Sequence, residues 1–229
     1  MLEPMSEIIR IYKTLLRRYG PQGWWPVTPI GETEPRYGVP IETDRQRLEV
    51  ALGAILTQNT SWKNAKRAIV NLNQHELIDR QKLKRMRVEA LAPIIRSAGY
   101  FNQKAKKIQA FVSYEGTVSR DGLLSIWGLG PETVDSILLY AHGIPSFVVD
   151  AYTRRYFCAL EIMMGNESYD DVKRMFERAI LQEITRTTPQ TGKQKQVLVS
   201  VYREFHALIV AHAKQHYIKK PYGKDDPTR

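Results

Sequence analysis

Along most of this chain the apolar residues return every three or four positions, the spacing of a helix with one buried face. Leu48, Leu52, Ile55 and Leu56 line one side of a run from about Asp44 to Thr57, with Asp44 placed to cap it. The same period predicts helices over about Trp62 to Asn73, Val88 to Ala98, Asn102 to Tyr114, Arg120 to Ile126 and Pro131 to Ala141. It continues over about Ala151 to Met164, Asp170 to Thr188 and Lys193 to Ile218. The N-terminal "MLEPMSEIIRIYKTLLRRYG" is an amphipathic helix, with no unbroken apolar stretch of the kind a signal peptide needs. Breaks fall at Gly99, Gly116, Gly128/Gly130, Gly143 with Pro145, Gly165 with Asn166, and Pro189 with Gly192. Strand alternation is nearly absent, and "SFVVD" is too short to carry a sheet. The pattern predicts an all-α fold of many short helices.

Two segments depart from the period. Gly20 to Ile41 holds five prolines, four glycines and the pair Trp24-Trp25, and reads as an ordered loop whose aromatics need something to pack on. The tail "KKPYGKDDPTR" is polar and reads as loose.

Composition narrows the class. A chain of 229 residues suits one large domain or two lobes. Its 34 Lys and Arg against 24 Asp and Glu give a net charge of +10, which favours an anionic partner, nucleic acid first. A solvated basic surface is the plainer reading of the same charge. The one cysteine, Cys158, rules out an internal disulfide and any cluster held by several cysteines. A reducing, cytoplasmic setting fits it. No segment reaches the apolar length of a membrane span.

"GLGPETV", Gly128 to Val134, sits between two helical runs. Glycines let the backbone turn and approach a partner, and Pro131 suits a first helical position. The N–H groups at such a helix start favour an anion such as a phosphate. A plain corner between helices is the alternative. About 20 residues on comes "FVVDAYTRRY", where Asp150 follows three apolar residues and opens a helix. Its ordinary role is an N-cap. A carboxylate held there also suits cleavage of an N-glycosidic bond, where it stabilises positive charge on the sugar or activates the attacking water.

"WGLGPETVDSILLY" with "FVVDAYTRRY" resembles the helix–hairpin–helix, Gly/Pro and Asp signature of the endonuclease III superfamily of DNA glycosylases. "ALGAILTQNTSWKNA" and "AGYFNQKAKKI" resemble further blocks in the same order, so the likeness covers about Asp44 to Tyr156. It implies a two-lobed, all-α endonuclease III-like fold. One lobe would be residues 41–147, with the hairpin near 120–141, and the other residues 1–40 with 148–229. A DNA cleft would lie between them, with Asp150 at its mouth and the tryptophans across it.

The resemblance also implies roles. Asp150 would be catalytic. Gln58 would fill the gap left by a flipped base. Gly128, Gly130 and Thr133 would bind phosphate, and the carbonyls of Leu124, Ile126 and Leu129 would hold a monovalent cation, Na+ or K+. Members that also cut the strand carry a lysine where this chain has Glu132. A carboxylate forms no Schiff base, so the resemblance implies a monofunctional enzyme; Glu132 alone reads as favouring the helix dipole. Lys104, Lys106 and Lys107 lie elsewhere and are assigned to phosphates or solvent. The absent cysteines mean no iron–sulfur cluster, though Lys220-Pro221 resembles the cluster loop. With "GWWP" and "LTQNT", the chain resembles the cluster-less 3-methyladenine DNA glycosylase branch.

In that branch Trp24, Trp25, Pro26 and Trp62 would frame the base pocket. An electron-rich ring attracts a cationic alkylated purine. The plainer reading of Trp24-Trp25 is a hydrophobic anchor. The branch can place a lysine on the last long helix where this chain has Leu208; His206 nearby could reach the pocket, although a lone histidine on a helix is more often a packed or surface residue. The implied partner is double-stranded DNA carrying a damaged base, bound by a monomer away from membranes. A mismatched or deaminated base, hypoxanthine included, is the alternative substrate, and a helix–hairpin–helix protein that binds DNA without catalysis is the alternative class.

Overall fold

The structure is a computed structural model and describes residues 4–187 and 193–228; the break expected at Pro189 and Gly192 lies outside the described residues. The fold is all-α. Among the described residues the extended pairing is one isolated bridge between Val27 and Arg36. The chain forms two compact units, Trp25–His142, and Met1–Trp24 with Gly143–Arg229.

The Trp25–His142 unit is built around α2, Asp44–Leu56. Every residue from Glu49 to Leu56 is buried, so this helix is covered on all sides rather than on one stripe. It packs against α3 (Trp62–Gln74), α6 (Phe101–Ser113) and α8 (Pro131–Ser136). The short helices α4 (Arg80–Arg85), α5 (Val88–Ile94) and α7 (Arg120–Leu124) complete the unit. The cap of α2 is Thr43, not Asp44. The Thr43 hydroxyl accepts from Gln46 N, and Gln46 Oε1 accepts from Thr43 N, a reciprocal capping box.

The boundary of this unit falls at Trp25 rather than Ile41. Glu49 is 2% exposed, and its Oε1 accepts from Thr28 N at 2.7 Å and Thr28 Oγ1 at 2.8 Å. Asn73 Nδ2 donates to Thr28 Oγ1 at 2.7 Å and Thr33 O at 3.0 Å. These bonds tie the proline-rich loop to α2 and α3. Burial pushes the Glu49 carboxyl up, and the bonds from Thr28 work against it.

The second unit is held by α11, Gln194–His216, which packs on α1 (Pro4–Tyr19), α9 (Ala151–Ala159) and α10 (Tyr169–Thr187). Its core is aromatic. Phe147 stacks on Phe176 with centroids 4.6 Å apart, and Phe157 and Phe205 close around them. α9 stops at Ala159, short of Met164, because the chain turns through Glu161 in a left-handed conformation.

The tail is not loose as far as Thr228. Asp226 Oδ2 accepts from the Tyr217 hydroxyl at 2.5 Å and lies 3.0 Å from His212 Nε2, while Oδ1 accepts from Thr228 N at 2.7 Å. The Thr228 hydroxyl bonds with that of Tyr156 at 2.9 Å. A polar stretch is ordered here because one buried carboxylate finds all its partners.

Candidate active site

α7 and α8 form the hairpin. Arg120 opens α7 and sends Nε to Asp135 Oδ1 at 3.0 Å and Nη2 to Oδ2 at 3.4 Å, so a two-pronged ion pair locks α7 to α8. Asp135 is fully buried. Between the helices, Leu129 N donates to Ile126 O at 3.2 Å, and Gly128 adopts φ +83°. A Cβ at Gly128 would stand 2.6 Å from Lys107 Cγ, whereas one at Gly130 would meet nothing within 4 Å. Gly128 is therefore needed for the turn, and Gly130 faces open space. Pro131 takes the first position of α8. Helix geometry leaves the amides of that first turn without acceptors of their own. Glu132 is exposed beside them.

Gln58 is bound to this loop. Its Nε2 donates to Gly128 O at 3.3 Å and to Thr133 Oγ1 at 2.9 Å, and its Oε1 accepts from Lys107 Nζ. The Thr133 side chain is buried and engaged by Gln58, so any phosphate contact at this position falls to its backbone amide. Lys107, on α6, packs its stem against Gly128 of the hairpin. Lys104 does not serve phosphate or solvent. It is 2% exposed and donates to Leu56 O at 2.8 Å and Ala98 O at 2.7 Å, closing the carbonyl ends of α2 and of the turn Arg96–Ala98. Burial and the charge of Lys107 lower its pKa to about 8.

The aromatic candidates separate. Trp25 is 6% exposed and meets Trp62 edge-on at 5.6 Å. Trp25 also meets Tyr140, at 5.3 Å. Pro26 is buried beside it, and Gly53 leaves room for the Trp25 ring. Trp62 is the more exposed tryptophan of the pair. Tyr140 was not singled out in the sequence. It lies in a π turn, Ile137–Ala141, that continues α8 and shifts the helical face. Trp24 belongs to the other unit, where it lines a polar recess with Gly143, Lys195, Arg203 and Glu204. Within the Trp25–His142 unit, Trp25, Trp62 and Tyr140 thus form one aromatic group, with Pro26 buried beside Trp25.

Asp150 caps α9. Its Oδ1 accepts from Thr153 N at 2.7 Å and Thr153 Oγ1 at 2.9 Å. Its Oδ2 lies 3.7 Å from His206 Nε2, within ion-pair range though long for a hydrogen bond. Burial alone would push this carboxyl up, but His206 and Thr153 outweigh it and hold the group below the ordinary aspartate value. His206 is thus at the carboxylate, and Leu208 is fully buried. The carbonyls of Leu124, Ile126 and Leu129 are hard oxygen donors of the kind a monovalent cation takes; that of Ile126 also accepts from Leu129 N.

The model of the HhH-GPD superfamily of base excision DNA repair proteins matches residues 52–182, more than half of the chain. The chain belongs to that superfamily. A Methanocaldococcus jannaschii protein assigned as a DNA repair glycosylase is 38% identical over 97% of this chain and 94% of its own length. Among solved structures, the H. pylori 3-methyladenine DNA glycosylase MagIII, bound to 1,N6-ethenoadenine, is 25% identical with a TM-score of 0.70, covering 93% of this chain and 98% of that one. A non-covalent endonuclease III–DNA complex is similar in fold, with a TM-score of 0.66 at 16% identity over 94% of this chain and 88% of its own. Among the described residues no helix is long and apolar enough to cross a membrane.

Proposed function

We propose that this superfamily member is a monofunctional DNA glycosylase that flips out alkylated purines of the 3-methyladenine kind and removes them hydrolytically, leaving an abasic site. The observation that carries the reading is Asp150: a carboxylate buried at a helix start, held by a cap on one oxygen and a histidine near the other. As the bond from C1′ to the base breaks, the electron pair leaves with the base and positive charge grows on the sugar. A fixed anion stabilises that charge, and water then bonds to C1′ and loses a proton. A cationic alkylated base is already a good leaving group, so the site needs little acid catalysis.

The other parts follow the same logic. The backbone amides of Gly128, Gly130 and Thr133 would grip a phosphate without reading bases. The carbonyls of Leu124, Ile126 and Leu129 would hold a monovalent cation, which supplies positive charge toward that phosphate. Trp62, with Trp25 and Tyr140 behind it, offers a ring face to a cationic purine. Glu132 at the lyase position favours hydrolysis over strand cutting. A deaminated or mismatched base is the second reading, favoured by apolar Leu208 where the branch can carry lysine.

The test is to incubate the protein with duplexes carrying alkylated, deaminated or mismatched bases and identify the released base by mass spectrometry. Release of methylated purine with no strand nicking and no borohydride-trapped adduct is expected. Asp150→Asn should abolish release. A trapped adduct would refute the argument from Glu132, and wild-type release by Asp150→Asn would refute the catalytic role of Asp150.

A further inference from the structure

Two aspartates in this protein cap helices in the same way. Asp79 accepts the amide of Lys82 at 2.8 Å from an exposed position at the start of α4. Asp150 accepts the amide of Thr153 at 2.7 Å, and the Thr153 hydroxyl as well, from a side chain only 13% exposed. A cap needs one oxygen, and Asp79 shows that it needs neither burial nor a histidine. At Asp150 the second oxygen, Oδ2, is instead set 3.7 Å from His206, which is itself 7% exposed. His206 comes from α11, more than 50 residues along the chain, so its place beside the carboxylate is made by the packing of α9 on α11 and by no local turn.

We propose that His206 is the positioning residue of Asp150, fixing Oδ2 as the carboxylate oxygen that faces the reaction while the Thr153 cap holds Oδ1. This rests on the glycosylase reading and adds a residue to it. The two oxygens are then unequal. Oδ1 has its charge drawn into two hydrogen bonds. Oδ2 keeps the basic lone pairs that stabilise the sugar cation or take the water proton. A buried carboxylate with only a cap would favour its protonated, useless form, since burial disfavours charge. The imidazole beside Oδ2 opposes that drift. Lys214, also on α11, lies within electrostatic reach of Asp150 and adds to the same effect. Position 206 thus supplies on α11 a polar group that Leu208 does not.

The experiment measures single-turnover base release from a methylated duplex between pH 5 and 8, with enzyme-free release subtracted, for wild type, His206→Phe and His206→Gln. Binding to undamaged duplex and melting temperature are measured alongside. Phe fills the ring's space without a polar atom, and Gln restores a donor. For His206→Phe, the acid limb of the rate should move up by about one pH unit, so the ratio of wild-type to variant rate should be flat above about pH 6 and rise as the pH falls to about 5. DNA affinity should stay within about twofold, as expected of a group distant from phosphates. His206→Gln should recover most of the rate at pH 8. Parallel pH profiles, equal losses in Phe and Gln variants, or a loss accounted for by DNA binding would overturn the positioning role and leave the glycosylase reading standing. If wild type released no base from methylated, uracil- or hypoxanthine-containing duplexes, the glycosylase reading would fall, and this inference with it.

Discussion

Gly128 and Gly130 are two residues apart in one loop, yet the structure gives alanine different fates there. At Gly128, alanine must adopt φ +83° and place its Cβ 2.6 Å from the Lys107 stem. The left-handed conformation costs about 1–2 kcal/mol. Lys107 can move aside only by giving up its bond to Gln58, about 1 kcal/mol more. The expected loss is therefore about 2–3 kcal/mol, or roughly 5–10 °C in Tm for a chain of this size. At Gly130 the backbone is ordinary and the new Cβ meets nothing, so the cost is about 0.5 kcal/mol, that of a poorer N-cap. Gly130→Ala does place a methyl where a phosphate would approach, so it should weaken duplex binding several-fold without lowering Tm. Thermal melts and duplex titrations over a range of salt separate the two. Adding Lys107→Ala to Gly128→Ala should recover the part of the loss due to collision, a non-additive pair. Equal Tm losses at the two glycines, or a strictly additive double variant, would refute the packing argument.

Two further outcomes follow from buried ion pairs. Asp135→Asn leaves Arg120 facing a neutral amide at the centre of the hairpin, so urea unfolding should show a loss of about 3 kcal/mol, and a loss under about 1 would mean that the pair does not lock α7 to α8. Asp226 titrates below its ordinary range: burial pushes it up, but His212, Tyr217 and Thr228 pull harder. Its folded value is depressed, so its stabilisation is full above the unfolded value of about 3.9 and fades as pH falls toward the folded one. Asp226→Asn should therefore melt well below wild type at pH 7, with the gap narrowing below about pH 4; a constant gap would show that the tail clamp does not depend on charge.

The helices were legible because each carries its own period and breaks. α4 escaped because "RQKLKR" offers one buried apolar side chain, Leu83, and no stripe. The cap of α2 was misplaced by one residue because Thr43 and Asp44 both suit the position; Gln46, three residues after Thr43, was the signal that decides it. The boundary at Trp25 was hidden because Glu49 and Asn73 hold the proline-rich loop across more than 20 residues of sequence. The ordered tail was hidden for the same reason: Tyr156, His212 and Tyr217 share no pattern with Asp226.

The candidate site divides along the same line. Asp150 and the hairpin glycines are local features, so their sequence spacing is already their geometry. The pair Trp24-Trp25 is local too, but Tyr140, which meets Trp25, lies more than 100 residues further along the chain and shares no motif with it. Gln58 shows the limit most clearly. Its place in "LTQNT" resembles that of a gap-filling residue, and a side chain that fills a gap must be available to move. In this structure it donates to Gly128 O and Thr133 Oγ1 and accepts from Lys107. Each such bond is worth about 1 kcal/mol net, with the Lys107 bond stronger because its donor is charged. Insertion into DNA would have to recover that sum from stacking and from whatever the hairpin gains when it meets a phosphate. Sequence names the residue that could fill the gap. The bonds to the hairpin set what its departure costs, and they tie that cost to the loop proposed to grip the backbone.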